Sequence, residues 1–117
     1  MGISYITCHN TRMTSGKRLL NKVAPYATML HGISNPYRLA IVYLLAHESL
    51  WPEDIATMIP IPQNLVAHHL KILLATGWVK KRRIGNHVMY ALQKKAFKEL
   101  PKLLVDTPFW REHIKPI

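Results

Sequence analysis

The sequence predicts a mainly helical domain with one small β-hairpin, in the order α-α-α-α-β-β-α. Three observations predict it. Apolar residues recur at three- and four-residue spacing through most of the chain. Gly85-Asn86 joins two short runs rich in β-branched, aromatic and basic residues, as a two-residue hairpin turn would. Pro36, Pro52, Pro62 and Gly77 stand at the borders of the helical stretches, where helices start and stop. At 117 residues and 49% hydrophobic content the chain is one domain with enough apolar surface for a core, which excludes a disordered basic tail.

Residues 1–17 are polar and aperiodic and read as a flexible N-terminal arm, leaving residues 18–117 as the folded domain. A first helix is expected over residues 18–31, across Pro25, with Gly32 to Pro36 as its stop. Asn35 is a good N-cap and Pro36 a good first residue for the second helix, over 36–47. That helix is apolar nearly all round through Leu39, Ile41, Val42, Leu44 and Leu45, as a central core helix would be. A short third helix fits 52–58. After the Ile59-Pro60-Ile61-Pro62 turn a fourth runs over 62–76 and stops at Gly77, so the pair forms a helix-turn-helix. Residues 78–84 and 87–92 make a hairpin, or wing, with a cationic tip. A last helix starts near Lys94 and sets Phe97, Leu100 and Leu104 at helical spacing, although Pro101 is a misfit inside it.

The charge is uneven. Sixteen Lys and Arg against six Asp and Glu give a formal +10. Residues 39–70 carry no Lys or Arg and a net −3, whereas residues 71–102 hold nine bases against Glu99 alone, a net +8. Such concentration favours a polyanionic partner, although exposed cations also solvate helix and strand faces without any partner. The single Cys8 excludes an internal disulfide and paired-cysteine zinc frameworks. No apolar run approaches the roughly 18 residues of a membrane span. The first residues lack a signal-peptide layout, and Ile6 stands where myristoylation wants Ser or Thr, so the expected location is the cytoplasm, with no membrane partner.

The fourth helix carries the most chemistry. Asn64, His68 and Lys71 fall at i, i+4 and i+7 on one face, while Val66, Leu70 and Leu73 form the opposite, core-facing stripe. Small Ala67 and Ala75 let such a helix approach a groove closely. Gln63 and Asn64 have amides that can read adenine edges, at the helix end where base contacts cluster. Each of these also has a plain structural role, Gln63 and Asn64 as satisfiers of backbone groups at the helix start and Ala67 as a helix former; His69 leans toward the packed side.

The run Asn35-Pro36-Tyr37-Arg38-Leu39-Ala40-Ile41, then Asp54-Ile55-Ala56, Gln63 to Leu73 with its His68-His69-Leu70-Lys71 segment, Gly77-Trp78-Val79 and the wing Arg82 to Tyr90 together resemble the ArsR family of winged helix-turn-helix regulators. The resemblance spans residues 27–104 and implies a homodimeric transcription factor that binds double-stranded DNA. It implies dimerisation helices at both ends of the domain, with Leu19, Leu20, Val23 and Tyr26 of the first helix and Phe97, Leu100 and Leu104 of the last at the interface. The DNA-contacting set is then Gln63, Asn64, Ala67, His68 and Lys71 on the fourth helix, with Lys81, Arg82, Arg83, Asn86 and His87 on the wing.

The departures from the family pattern bear on cofactors and on DNA reading. Trp51 and Glu53 stand where metal-sensing members have a Cys-x-Cys pair, and residues 94–105 hold no histidine for the family's second metal site. The scattered His9, His31, His47, His87 and His113 have no ligand spacing, and adjacent His68 and His69 diverge by about 100° on a helix. No metal or other cofactor is therefore expected; a small-molecule effector stays open. Cys8 alone could cross-link subunits or stay a buried thiol. Leu65 and Ala67 replace common hydroxyl residues and Pro62 a usual serine cap, so readout leans on Gln63, Asn64, His68 and a thymine-methyl contact from Ala67.

Three function classes compete. A sequence-specific DNA-binding regulator, a repressor, explains both charge and motif; a non-sequence-specific nucleic-acid-binding or architectural winged-helix module explains the charge. An enzyme is not expected, since there is no phosphate-cradling Gly-rich loop. Glu48, Glu53 and Asp54 could hold a hard cation, but capping by Glu53 and Asp54 is the simpler role. The aromatics Phe109 and Trp110 could close a dimer seam, line a ligand pocket or simply cover a core edge.

Overall fold

The computed structural model describes residues 10–105 and 107–114, with side chains from residue 16 onward. Helix α1, Asn10–Gly32, begins eight residues before the expected start. The second half of the predicted arm is thus helical, because polar residues and one Gly16 weaken a helix without ending it and no proline intervenes before Pro25. Residues 1–9 of that arm, with Cys8, lie outside the described residues. The helix passes through Pro25 as expected.

Helix α2, Pro36–Leu45, starts as its sequence dictates: Asn35 Oδ1 accepts from the backbone N–H of Tyr37 at 2.9 Å and of Arg38 at 3.2 Å. Ile41, Val42 and Leu45 are buried, but the all-round burial read from the sequence does not hold. Leu39 is 51% and Tyr43 66% exposed, four residues apart on a side left open among the described residues. Helix α3, Pro52–Met58, buries Ile55 and has Glu53 and Asp54 in its first turn, where the helix dipole favours carboxylates. After a bend around buried Ile59, helix α4 runs Gln63–Ala75 and buries Val66, His69, Leu70 and Leu73. Gly77, at φ 87°, takes the left-handed conformation that ends it.

Strands β1, Val79–Ile84, and β2, His87–Leu92, pair antiparallel from Val79 opposite Leu92 to Ile84 opposite His87. Gly85, at φ 64°, makes the two-residue turn possible. Leu50 exchanges two backbone hydrogen bonds with Tyr90, at 3.0 and 2.9 Å, and so ties the wing to the α2–α3 connection. Helix α5 covers only Lys94–Glu99. The single helix expected to carry on to Leu104 gives way to a 3-10 segment, Leu100–Leu103, because Pro101 lacks the N–H that a continuing α-helix would use. Its Phe97 meets Trp78 edge to face at 5.3 Å. The described residues end in a wide helical turn, Trp110–Ile114, whose Trp110 lines an apolar groove of about 320 Å³ with Leu30, Leu100 and Leu104, while Phe109 stays exposed.

One core joins these elements: Ile41, Val42 and Leu45 of α2, Ile55 of α3, Val66, Leu70 and Leu73 of α4, and Trp78 and Val79 at the wing's base. Burial of these side chains is the dominant favourable contribution to the fold. Among the described residues no helix is long and apolar enough to cross a membrane.

Candidate nucleic-acid interface

Helix α4 is anchored on its apolar side and presents the other to solvent. Gln63, Asn64, Ala67, His68 and Lys71 are all exposed, so the five residues singled out on this helix share one accessible surface. The helix starts at Pro62, which offers no side-chain cap to its first amides. Uncapped N–H groups and the positive end of the helix dipole therefore lie beside Gln63 and Asn64. Leu65 belongs to this end as well and is 42% exposed. Its apolar side chain adds to the exposed surface formed by the residues singled out from the sequence; the signal was the replacement of a hydroxyl residue.

The two adjacent histidines separate as helix geometry requires. His68 is exposed, and His69 is buried with Nδ1 3.4 Å from the Nη1 of Arg38 and its ring stacked on Tyr37 at 5.7 Å. Burial in the first place, and then the charges of Arg38 and His68, hold the His69 imidazole below its ordinary pKa of 6.5. It is thus a neutral acceptor for Arg38 at physiological pH. Arg38 is itself buried, an outcome its charge did not advertise. The signal was its place in the segment Asn35-Pro36-Tyr37-Arg38-Leu39, three residues past an N-cap.

On the wing, Lys81, Arg82, Arg83, Asn86 and His87 are all exposed. Strand alternation divides the basic run in two. Lys81 and Arg83 pair with Tyr90 and Val88 on the face continuous with buried Val79, whereas Lys80 and Arg82 pair with Ala91 and Met89 on the opposite face. Lys80, Lys81 and Arg82 line an open groove of about 360 Å³ with Ser49, over Met89 and Ala91. Lys80, one of the nine bases of residues 71–102, and Ser49 lie outside the DNA-contacting set that the resemblance implies. His87 leans edge to face on Trp51, 5.7 Å away, which fixes the turn end of the wing against the start of α3.

The residues singled out for dimerisation differ in exposure. Leu19 and Leu20 on α1 are 57% and 67% exposed, Val23 and Tyr26 are half-buried, and Phe97 and Leu104 are exposed; Leu100 packs partly on the core. Among the described residues no three His, Cys, Asp or Glu side chains gather in a way that could hold a metal ion.

Residues 35–81, which include α2, α3, α4 and the first residues of the wing, match the model of the arsR family of bacterial regulatory proteins. A cadmium resistance transcriptional regulatory protein CadC homolog of Staphylococcus aureus is 31% identical over 101 residues, covering 84% of this chain and 82% of that protein. The chain belongs to the ArsR family. A second relative, the HTH-type transcriptional repressor SmtB of Mycobacterium tuberculosis, is 38% identical over 64 residues, 55% of this chain. The chain spans about half of that repressor, 47% of its length. Among solved structures, the homodimeric winged helix-turn-helix DNA-binding domain of a possible ArsR-family regulator from Mycobacterium bovis superposes with a TM-score of 0.64 at 25% identity. That match covers 82% of this chain and 90% of that one. The ArsR fold is therefore a winged helix-turn-helix, with α3 and α4 as the helix pair and β1 and β2 as the wing.

Proposed function

We propose that this chain is a sequence-specific, double-stranded DNA-binding transcriptional repressor that works as a homodimer in the cytoplasm. One observation carries the reading: the exposed polar face of α4 and the wing's cations are held on a single rigid core. Helix α4 enters the major groove, where Gln63, Asn64 and His68 read base edges and Leu65 and Ala67 touch thymine methyls. Lys71, Lys81, Arg82, Arg83, Asn86 and His87 hold phosphates or enter the minor groove, supplying affinity and register.

Pairing of two copies is supported by the shape of one. The radius of gyration is 18.7 Å, with extents of 57 × 33 × 25 Å, against about 13 Å for a compact chain of this length. The 23-residue helix α1 adds to that length, and its Leu19 and Leu20 find no cover among the described residues. A partner's α1 and C-terminal segment would bury them together with Phe97 and Leu104, and the M. bovis relative is itself homodimeric. No metal-sensing step forms part of the proposal, because Trp51 and Glu53 stand where the resemblance puts a thiolate pair and residues 94–105 hold no histidine for the second site it implies. An organic effector stays compatible with it.

Fluorescence anisotropy with a labelled duplex from upstream of the chain's own gene tests the reading, with excess random duplex as competitor. Binding at least about a thousandfold tighter than to random DNA is expected of a specific regulator. A preference below about tenfold would replace it with a non-specific or architectural module.

A further inference from the structure

The last turn of α1 is gripped from two directions by elements that hold α4. From α2, the buried Arg38 donates through Nε to the carbonyl of Gly32 at 2.6 Å and through Nη2 to that of His31 at 3.4 Å, while its Nη1 faces His69 Nδ1 of α4 at 3.4 Å. From the far end of α4, Trp78 Nε1 donates to the carbonyl of Met29 at 2.5 Å. One planar guanidinium therefore caps the carbonyl of Gly32, adds to that of His31, which also accepts from the N–H and Oγ of Ser34, and reaches across to another helix, 31 residues further along the chain. A lysine, with a single point charge, cannot span these three acceptors.

We propose that Arg38 is a positioning residue that fixes the separation of the two recognition helices, and hence the half-site spacing the dimer accepts. The inference rests on the homodimeric reading above. If α1 pairs with its counterpart across the two-fold axis, any rotation of α4 against α1 moves the two α4 helices oppositely and changes the distance between the grooves they enter. Half-sites lie about 34–36 Å apart for helix-turn-helix dimers, so a small rotation at the core becomes a change of register on DNA. Arg38 opposes that rotation because its two sets of partners belong to the two elements that would turn. His69 takes part as the acceptor on α4. The groups facing it are Arg38 and Tyr37 from α2 and His68 from its own helix.

Selection of bound duplexes from a random library tests this, run side by side for the wild-type chain and the variants Arg38→Met, His69→Leu and His69→Asn. The wild type is expected to return a paired half-site motif at a single spacing. Arg38→Met and His69→Leu should return the same half-site at several spacings. His69→Asn, whose Oδ1 sits close to the position of Nδ1, should restore the single spacing. Sedimentation of each variant establishes that it is folded and dimeric, and His69→Leu keeps the test open if Arg38→Met does not fold, since it leaves Arg38 on the carbonyls of α1. A dimeric His69→Leu that keeps the single spacing overturns the role assigned to Arg38 and leaves the DNA-binding reading intact. A wild-type chain that is monomeric, or that returns no paired motif, overturns the dimeric reading and this inference with it.

Discussion

Gly32 of α1 lies against Thr76, the residue that closes α4, so tightly that a Cβ at Gly32 would overlap the Thr76 side chain and come within 3.0 Å of Trp78 Cδ1. The glycine does not serve a left-handed turn; the positive φ angles belong to Gly77 and Gly85. It serves a close approach of two helices. Thr76 cannot simply swing aside, since its Oγ1 donates to the carbonyl of Ile72 at 2.8 Å.

Gly32→Ala should therefore destabilise the chain by about 1–3 kcal/mol, the usual cost of forcing extra volume into a packed contact. That loss would come despite the gain in helix propensity that alanine brings elsewhere. Thr76→Ala, which removes Oγ1, should recover part of the loss when combined with it. Urea unfolding of the two single variants and the double variant measures this, and a Gly32→Ala chain as stable as wild type would refute the steric account.

Asn35 satisfies two amides at the start of α2 with one oxygen. Asn35→Ala should lose about 1 kcal/mol and lower the melting temperature by about 4 °C, whereas Asn35→Asp, which keeps an acceptor there, should stay near wild type. Equal melting of the alanine and aspartate variants would mean that the cap contributes little.

Much of this fold was legible because it is written in local signals. Asn35-Pro36 marks a helix start, Gly85-Asn86 a two-residue turn, and Val66, Leu70 and Leu73 a stripe at helical spacing, and each acts within a few residues of itself. The exposed sets on α4 and on the wing were legible for the same reason, since a periodicity that buries one face exposes the other. The burial of Arg38 was not, because it depends on carbonyls at the end of α1 and on a ring 31 residues away. Leu39 read as core because a single chain's sequence does not say which helix faces are left for another surface. Pro101 was noticed, but local pattern gave no measure of whether Phe97, Leu100 and Leu104 would outweigh its missing N–H; the 3-10 segment shows that they do not.

The neutral His69 makes stability pH-dependent in a fixed direction. Its folded pKa is held down, chiefly by burial and then by Arg38 and His68, while in the unfolded chain it titrates near 6.5. Between those two values the unfolded state binds more protons, so stability rises with pH across that window. The contribution is fully present above about pH 6.5 and is lost as pH falls toward the folded value. The loss amounts to about 1.4 kcal/mol for each tenfold difference in proton affinity between the two states. Melting curves from pH 7.5 to 5 should show a decline for the wild-type chain that is shallower for His69→Asn, which has no proton to gain at that position. Parallel declines for the two would assign the acid sensitivity elsewhere.

Phosphate contacts and base contacts should separate under salt. If a dimer neutralises about six to eight phosphates, the logarithm of its affinity falls against the logarithm of salt with a slope near −0.9 per contact. Arg82→Ala removes a wing cation from both subunits, so the slope should become shallower by about two while the ranking of duplex sequences stays unchanged. Asn64→Ala should do the reverse. Its amide carries no charge, so the slope holds, but discrimination between matched and mismatched duplexes should fall by about 1–3 kcal/mol at the base pair it reads. The two variants have opposite expected signatures because the proposed reading has α4 meet DNA through directional hydrogen bonds and the wing through released counterions. An Arg82→Ala chain that loses sequence ranking with no change in slope would place that arginine on a base edge, and the wing would then be a reader of sequence as well as a clamp.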